Sequence, residues 1–328
     1  NMVDSIIVGN FVGANALGAI GTTNSLNFFF FSLVAGLSVG IGIIVAQYFG
    51  FGDEEKVKDA IGNSIWIITV CSVIMAIIGF VTARPILVLL DTDPVILNDA
   101  VAYLKVVSIG IVCVGFYNGV SGILRALGDS KTPFIANLVG LATNMVLDPV
   151  LILGVGMFPK LGVVGAAIAT VTAQAIVMSI MIVGIVIQKK ENVLKGTRLL
   201  AKIPREYLQG ICKIGIPTAI QGMAYCAISM VLTRMISGYG AEAVATQRVG
   251  GQIESISWNT ADGFAAALNA FIAQNYGAGK NDRVKKGYKA SLWTVGIWGL
   301  LISAVFICIP EPIARIFFHE PKAIATSV

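Results

Sequence analysis

The stretch "VAQYFGFGDEEKVK" at residues 45–58 has a near copy, "IAQNYGAGKNDRVK", at 272–285. Both run from an apolar segment, through glycines, into a charged one. The offset is 227 residues and holds without gaps on either side. "GANA" at 13–16 meets "GAEA" at 240–243, Pro85 meets Pro312, and Pro94 meets Pro321. Gly36 and Gly40 meet Gly263 and Ala267, a small-xxx-small spacing that lets helices approach closely. Several matches in one register over about 80 residues mark a duplication.

The material duplicated is membrane-like. The chain has 328 residues, of which 56% are hydrophobic and only 12% charged. Its mean hydropathy is +0.84. Soluble domains carry about 25% charged residues. Segments 5–52, 60–83, 106–124, 161–188, 214–233 and 290–310 contain no Asp, Glu, Lys or Arg. A spanning helix needs roughly 20 apolar residues, so most of these hold one span. They are too long and continuous for barrel strands, and they recur too often to be a cleaved signal peptide. The fold class expected is an all-α integral membrane protein with nine helices. They lie near 1–12, 18–49, 58–83, 100–126, 133–157, 163–188, 213–238, 246–276 and 285–310.

The 227-residue offset holds six of these helices, an even number, so the two units share one orientation. Parallel repeats are a transporter architecture with the substrate site near the midplane. Two complete units of 227 residues exceed the 328 present, so both ends of the natural protein are expected to lie outside this chain. The organisation expected is an N-terminal lobe at 1–188, a loop at 189–212 and an incomplete second lobe at 213–328.

Basic residues set the orientation. Sixteen of the 23 Lys and Arg fall in the connections after the second, fourth, sixth and eighth helices, seven of them between Lys189 and Lys213. Those even-numbered loops are expected to be cytoplasmic. The basic residues are spread over membrane-adjacent loops, so no nucleic-acid partner is expected. The five cysteines have no metal-ligand spacing and read as small core residues. The single histidine, His319, cannot build a zinc site alone and is assigned to a loop.

Ionisable groups at membrane depth are functional candidates by default. In "NMVLDPV" (144–150), Asn144 and Asp148 are four residues apart and share a helix face. Pro149 lacks an N–H, so the carbonyl of Met145 loses its helical partner. A carboxylate, an amide oxygen and a free carbonyl could hold a hard cation at Asn144 and Asp148, with Asp4 as a second acid in an apolar segment. A protonatable acid is the second reading, in which Asp4 and Asp148 share a proton. A structural kink is the third. Farther along, Gln247, Glu254, Trp258, Asp262 and Asn269 form one stripe at helical period. Their first-unit equivalents are Ile20, Asn27, Phe31, Ala35 and Gly42. An acidic stripe with an indole suits a cationic aromatic substrate. It is equally readable as a structural ion pair of Glu254 with Arg248.

The motifs "VDSIIVG", "VAQYFGFGD", "GILRALGDSKTP", "NMVLDPVLILG" with "LGVVGAAIAT", and "IAQNYGAG" resemble, in order along the chain, the MATE (multidrug and toxic compound extrusion) transporters. The resemblance implies twelve helices in two lobes and export of organic, often cationic, compounds in exchange for H+ or Na+, with no cofactor. It implies a multi-pass monomer in the plasma (inner) membrane. By motif, Asp4, Asn144 and Asp148 match the first-lobe ion site, with Thr170 in "AAIAT" as its hydroxyl. One branch of the family carries a glutamate eight residues after the proline of "GIP". Here that position is Tyr225, which directs attention to the first-lobe acids. Not an enzyme, the chain is expected to meet small organic cations and the lipid bilayer. The nearest alternative is a related flippase of lipid-linked oligosaccharide, whose cavity should be basic. An intramembrane aspartyl protease fits poorly, since its "GxGD" motif is absent from the membrane segments.

Overall fold

The computed structural model describes residues 7–8, 11–90, 92–154, 159–187, 204–238 and 241–308. Eight long helices are found among them. They are α1 (Ala14–Phe51), α2 (Glu54–Leu89), α3 (Pro94–Ala126), α4 (Lys131–Leu153), α5 (Gly162–Ile187), α6 (Arg205–Ser237), α7 (Ala241–Gly277) and α8 (Asn281–Cys308). No strand occurs in the described residues, as expected from the apolar runs. The first expected helix, at 1–12, lies mostly outside them, as do the loop residues 188–203, Arg315, His319 and the prolines at 312 and 321.

Short polar punctuation sets the turns. Asp53 caps α2 by accepting from the Lys56 N–H at 3.1 Å. Asp93 accepts from Val95 N at 2.9 Å, with Pro94 in the first turn of α3. Asp129 accepts from Lys131 N, Thr132 N and the Thr132 hydroxyl at the start of α4. These side chains satisfy the orphan donors that any helix start leaves. Gly52 and Gly154 end α1 and α4 in the left-handed region, with φ of 76° and 74°. The strain-free residue there is glycine.

The duplication is legible in the geometry. Shifted by 227, the start of α1 falls on the start of α7 at Ala241, and the start of α2 on that of α8 at Asn281. The left-handed Gly52 falls on Gly279, whose φ is 69°. The motif that decided the reading is therefore the same helix–glycine turn–helix in both places.

By contacts the chain divides within α6, between Cys226 and Ala227. In the first unit, α3 packs on α1, α2 and α5, and α4 packs on α5. Glycine makes the close approaches: a Cβ at Gly115 would collide with Ser72, and one at Gly140 would lie 2.2 Å from Val177. In the second unit α7 and α8 pack together. Large apolar side chains face outward, among them Phe134, Val146, Trp293 and Leu300. That arrangement costs free energy in water and none in hydrocarbon. Seven of the described helices are long and apolar enough to cross a membrane; α7 is not among them. The cysteines depart from the expectation of a core role. Cys71, Cys113, Cys212 and Cys226 are half-buried and Cys308 is exposed.

Candidate substrate and ion-coupling site

One face of α4 is buried at Ala136, Gly140, Asn144, Asp148 and Leu151, a period of close to four. The other face, including Leu141, Met145 and Val146, is exposed. The polar pair therefore sits on the packed side, toward α5, rather than against lipid. Asp148 is 0% exposed and Asn144 is 8% exposed. The Asn144 amide N–H donates to Asp148 Oδ1 at 3.1 Å. Burying a carboxylate is costly, and a hydrogen-bond donor offsets part of that cost. The helix does not stop at Pro149 but continues to Leu153. The amide meets the acid with its nitrogen, whereas the cation reading uses its oxygen. Asp4 lies outside the described residues. Among the described residues no group of three or more His, Cys, Asp or Glu could hold a metal ion.

A cavity of about 180 Å³ opens inside the first unit. Asn24, Asn27, Phe28 and Phe31 line it from α1, Tyr103, Val107, Ile111 and Val114 from α3, and Thr170 and Gln174 from α5. Thr170 thus faces this cavity, while Asn144 and Asp148 are not on its wall. Carboxamides and rings dominate, and none of the lining residues is charged. Asn27 Oδ1 is buried without a hydrogen-bond partner. Sequence reasoning missed Tyr103, Asn24 and Gln174. For two of them a signal was available as polar side chains at i, i+3 or i+4 spacing in apolar helices: Asn24 with Asn27, and Thr170 with Gln174.

The second-unit stripe lies on α7. Glu254 and Trp258 are exposed, and the indole N–H donates to Glu254 Oε1 at 2.9 Å. Asp262 is exposed on the same helix, and Gln247 is half-buried. Among the described residues Trp258 is a partner of Glu254, while the side chain of Arg248, the other expected partner, lies outside them. The repeat connects stripe and cavity. Asn27 and Phe31, the first-unit equivalents of Glu254 and Trp258, are both on the cavity wall. Positions that meet a cavity in one unit carry the acid and the indole in the other.

Comparisons with known proteins agree with this architecture. The chain is 27% identical over 326 residues to the probable multidrug resistance protein YoeA of Bacillus subtilis, covering 98% of this chain and 70% of that one. It is 30% identical over 324 residues to the probable multidrug resistance protein YpnP of the same organism, covering 98% and 71%. An FAD transporter of Shewanella oneidensis is 25% identical, with 95% and 69% covered. Among solved structures, a MOP superfamily transporter from Pyrococcus furiosus superposes with a TM-score of 0.86 at 21% identity, over all of this chain and 71% of that one. A crystal structure of MATE in the bent conformation also gives 0.86 at 21% identity, over 99% and 72%. The family model MatE matches residues 1–150 and 217–328. With most of its length matched, the chain belongs to the MatE family of membrane transporters.

Proposed function

We propose that this protein is a secondary antiporter that exports organic cations in exchange for H+ or Na+ by alternating access. The observation that carries the proposal is Asp148, a carboxylate with no exposed surface, hydrogen-bonded to Asn144 on a helix that contains Pro149. An acid held at that depth changes its interactions sharply when a proton or cation arrives or leaves. Asp4 and Thr170 complete the coupling group. Coupling rearranges the start of the chain against α4 and biases the path toward release outside. The substrate path uses the first-unit cavity and, in the second unit, Gln247, Glu254, Trp258 and Asp262. The acid and indole of α7 supply charge and ring-face attraction to a cation. The cavity wall carries no Lys or Arg, which favours this reading over a flippase that holds pyrophosphate.

The proposal includes two parallel lobes, at 1–188 and 213–328, a monomer in the inner membrane and cytoplasmic even-numbered loops. Its test is substrate efflux from cells making the full-length protein with Asp148→Asn at normal expression. Loss of efflux is expected, and normal efflux refutes the coupling role. Proteoliposomes with proton and sodium gradients imposed separately then assign the ion.

A further inference from the structure

The two copies of the helix–glycine turn–helix differ in charge. Residues 280–289, at the start of α8, hold five basic side chains and one acidic one. Their equivalents at 53–62 hold two basic and four acidic ones. In the first unit the lysines are paired: Lys56 lies 3.0 Å from Asp53, and Lys58 lies 3.8 Å from Glu54. Shifted by 227, Lys58 falls on Lys285, while Asp53, Glu54 and Asp59 fall on Lys280, Asn281 and Lys286. The lysine is kept and its acids are gone. Lys285, Lys286 and Lys289 are exposed, and among the described residues none of the three makes an ion pair. Arg283 turns instead to the Phe271 ring of α7, 5.9 Å away.

The same face of α8 then becomes apolar. Lys285, Lys286 and Lys289 are continued at helical period by Trp293, Gly296 and Leu300. Trp293 is 75% exposed and Leu300 73% exposed, and a Cβ on Gly296 would meet nothing within 4 Å. The position of Trp293 faces outward in a packed unit too. Its equivalent Trp66 is 48% exposed although α2 packs on α1 and α3. From Lys289 to Leu300 the helix rises about 16 Å. That is close to the half-thickness, about 15 Å, of a bilayer's hydrocarbon core.

We propose that this face of α8 binds one anionic phospholipid. Lys285, Lys286 and Lys289 hold the phosphate headgroup, Trp293 stands at the level of the glycerol, and an acyl chain lies in the notch at Gly296 and on Leu300. Charge complementarity selects the headgroup: three unpaired cations at a membrane surface attract anionic lipid. Lysine stems lie along apolar surface while their ammonium groups reach the headgroups, and indoles favour the interface. Orientation bias alone does not account for the cluster. On the parallel-lobe reading both turns lie on one side of the membrane, and the first has no excess of basic residues. That turn sets Lys58, Asp59 and Gly62 beside Trp66, so it has the indole without the cations. The inference needs α8 to cross the membrane, for which it is long and apolar enough, and does not need the antiporter reading.

The test titrates phosphatidylglycerol into detergent-solubilised full-length protein and follows bound lipid by native mass spectrometry. Lys285→Gln, Lys286→Gln and Lys289→Gln together are expected to weaken the first phosphatidylglycerol bound by about tenfold or more. Binding of phosphatidylcholine is expected to stay as in the parent. Lys56→Gln with Lys58→Gln, the first-unit control, is expected to change neither. Equal phosphatidylglycerol affinity in the triple variant and the parent overturns the site, as does a parent that binds phosphatidylcholine as tightly. Inorganic phosphate that displaces phosphatidylglycerol at equal concentration shows a free-anion site and overturns the lipid assignment. A parent that binds no phosphatidylglycerol shows the face covered by more of the chain or by a second copy, and also overturns it. Gly296→Phe fills the notch and alters no charge. It is expected to weaken phosphatidylglycerol binding several-fold, and unchanged affinity overturns the seat for the acyl chain. The measurement needs no transport, so a protein that moves no substrate would sink the antiporter reading while the lipid site is still decided.

Discussion

Asp148 and Asn144 form a pair whose members fail differently when replaced. Asp148→Asn keeps the shape and removes the exchangeable charge, so the expected outcome is folded protein with ion-driven uptake abolished in proteoliposomes. Asn144→Ala leaves a buried carboxylate without its 3.1 Å donor. A stability loss of about 1–3 kcal/mol is expected, read as a lower melting temperature in detergent. The pair was legible in the sequence because i, i+4 spacing puts two residues on one face whatever the tertiary fold. Tyr103 was not, because its role depends on α1, α3 and α5 converging, and nothing local to "VAYLK" encodes that convergence. Which atom Asn144 turns to its neighbour is likewise set by packing. At the membrane surface Asp53 behaves predictably. The Lys56 backbone N–H, then its ammonium at 3.0 Å, hold this carboxyl below its ordinary range. Its capping contribution is therefore complete above the ordinary carboxylate range and is lost as pH falls through the lowered value. Exchange of the amides in the first turn of α2, followed against pH, should show that loss, and Asp53→Ala should remove the dependence.

Among the elements, α1 and α6 show how far pattern alone reaches. Gly36 and Gly40 announced a close helix contact by their spacing, and the contact exists. The partner was not announced, because α6 approaches from more than 160 residues away and the spacing rule does not name what fills the groove. Gly36→Ala places a methyl 2.6 Å from two backbone atoms, and neither backbone can yield as a flexible side chain would. A cost of about 1–3 kcal/mol is expected from such overpacking, measured as lost thermal stability of the purified protein. Gly263, the repeat equivalent on α7, has nothing within 4 Å of an added Cβ. Gly263→Ala should be neutral or slightly stabilising in the same assay, because alanine is the better helix former. Helix ends were read within about four residues at Gly52, Asp53, Asp129 and Gly154, but the start of α3 at Pro94 was placed near 100 although Asp93 marks it. The start of α6 was misplaced by eight residues: Arg205 to Lys213 is polar enough to read as loop, yet Tyr207 and Ile211 bury it.

For the whole molecule, the repeat specified more than composition did. One 14-residue match aligned the helix starts at Glu54 and Asn281 and the turn geometry at Gly52 and Gly279. Chemistry diverged while geometry persisted, so the amide and ring of Asn27 and Phe31 stand at the positions that Glu254 and Trp258 take in the second copy. Glu254→Gln should therefore weaken uptake of cationic substrates, by up to about fivefold in KM, and spare neutral ones, as an exposed ion pair is worth about 0–1 kcal/mol. The same divergence bears on how the protein is made. Helix α7 lacks the apolarity of its seven companions. On the scale by which the cell's insertion machinery sorts segments, one central aspartate costs about 2.5–3.5 kcal/mol. Nascent α7 on its own should therefore slip through the translocation channel, and glycosylation tags placed beyond it should be modified. Joined to α8 it should be retained. Its entry into the bilayer is thus a cooperative event, timed by synthesis of the helix that follows.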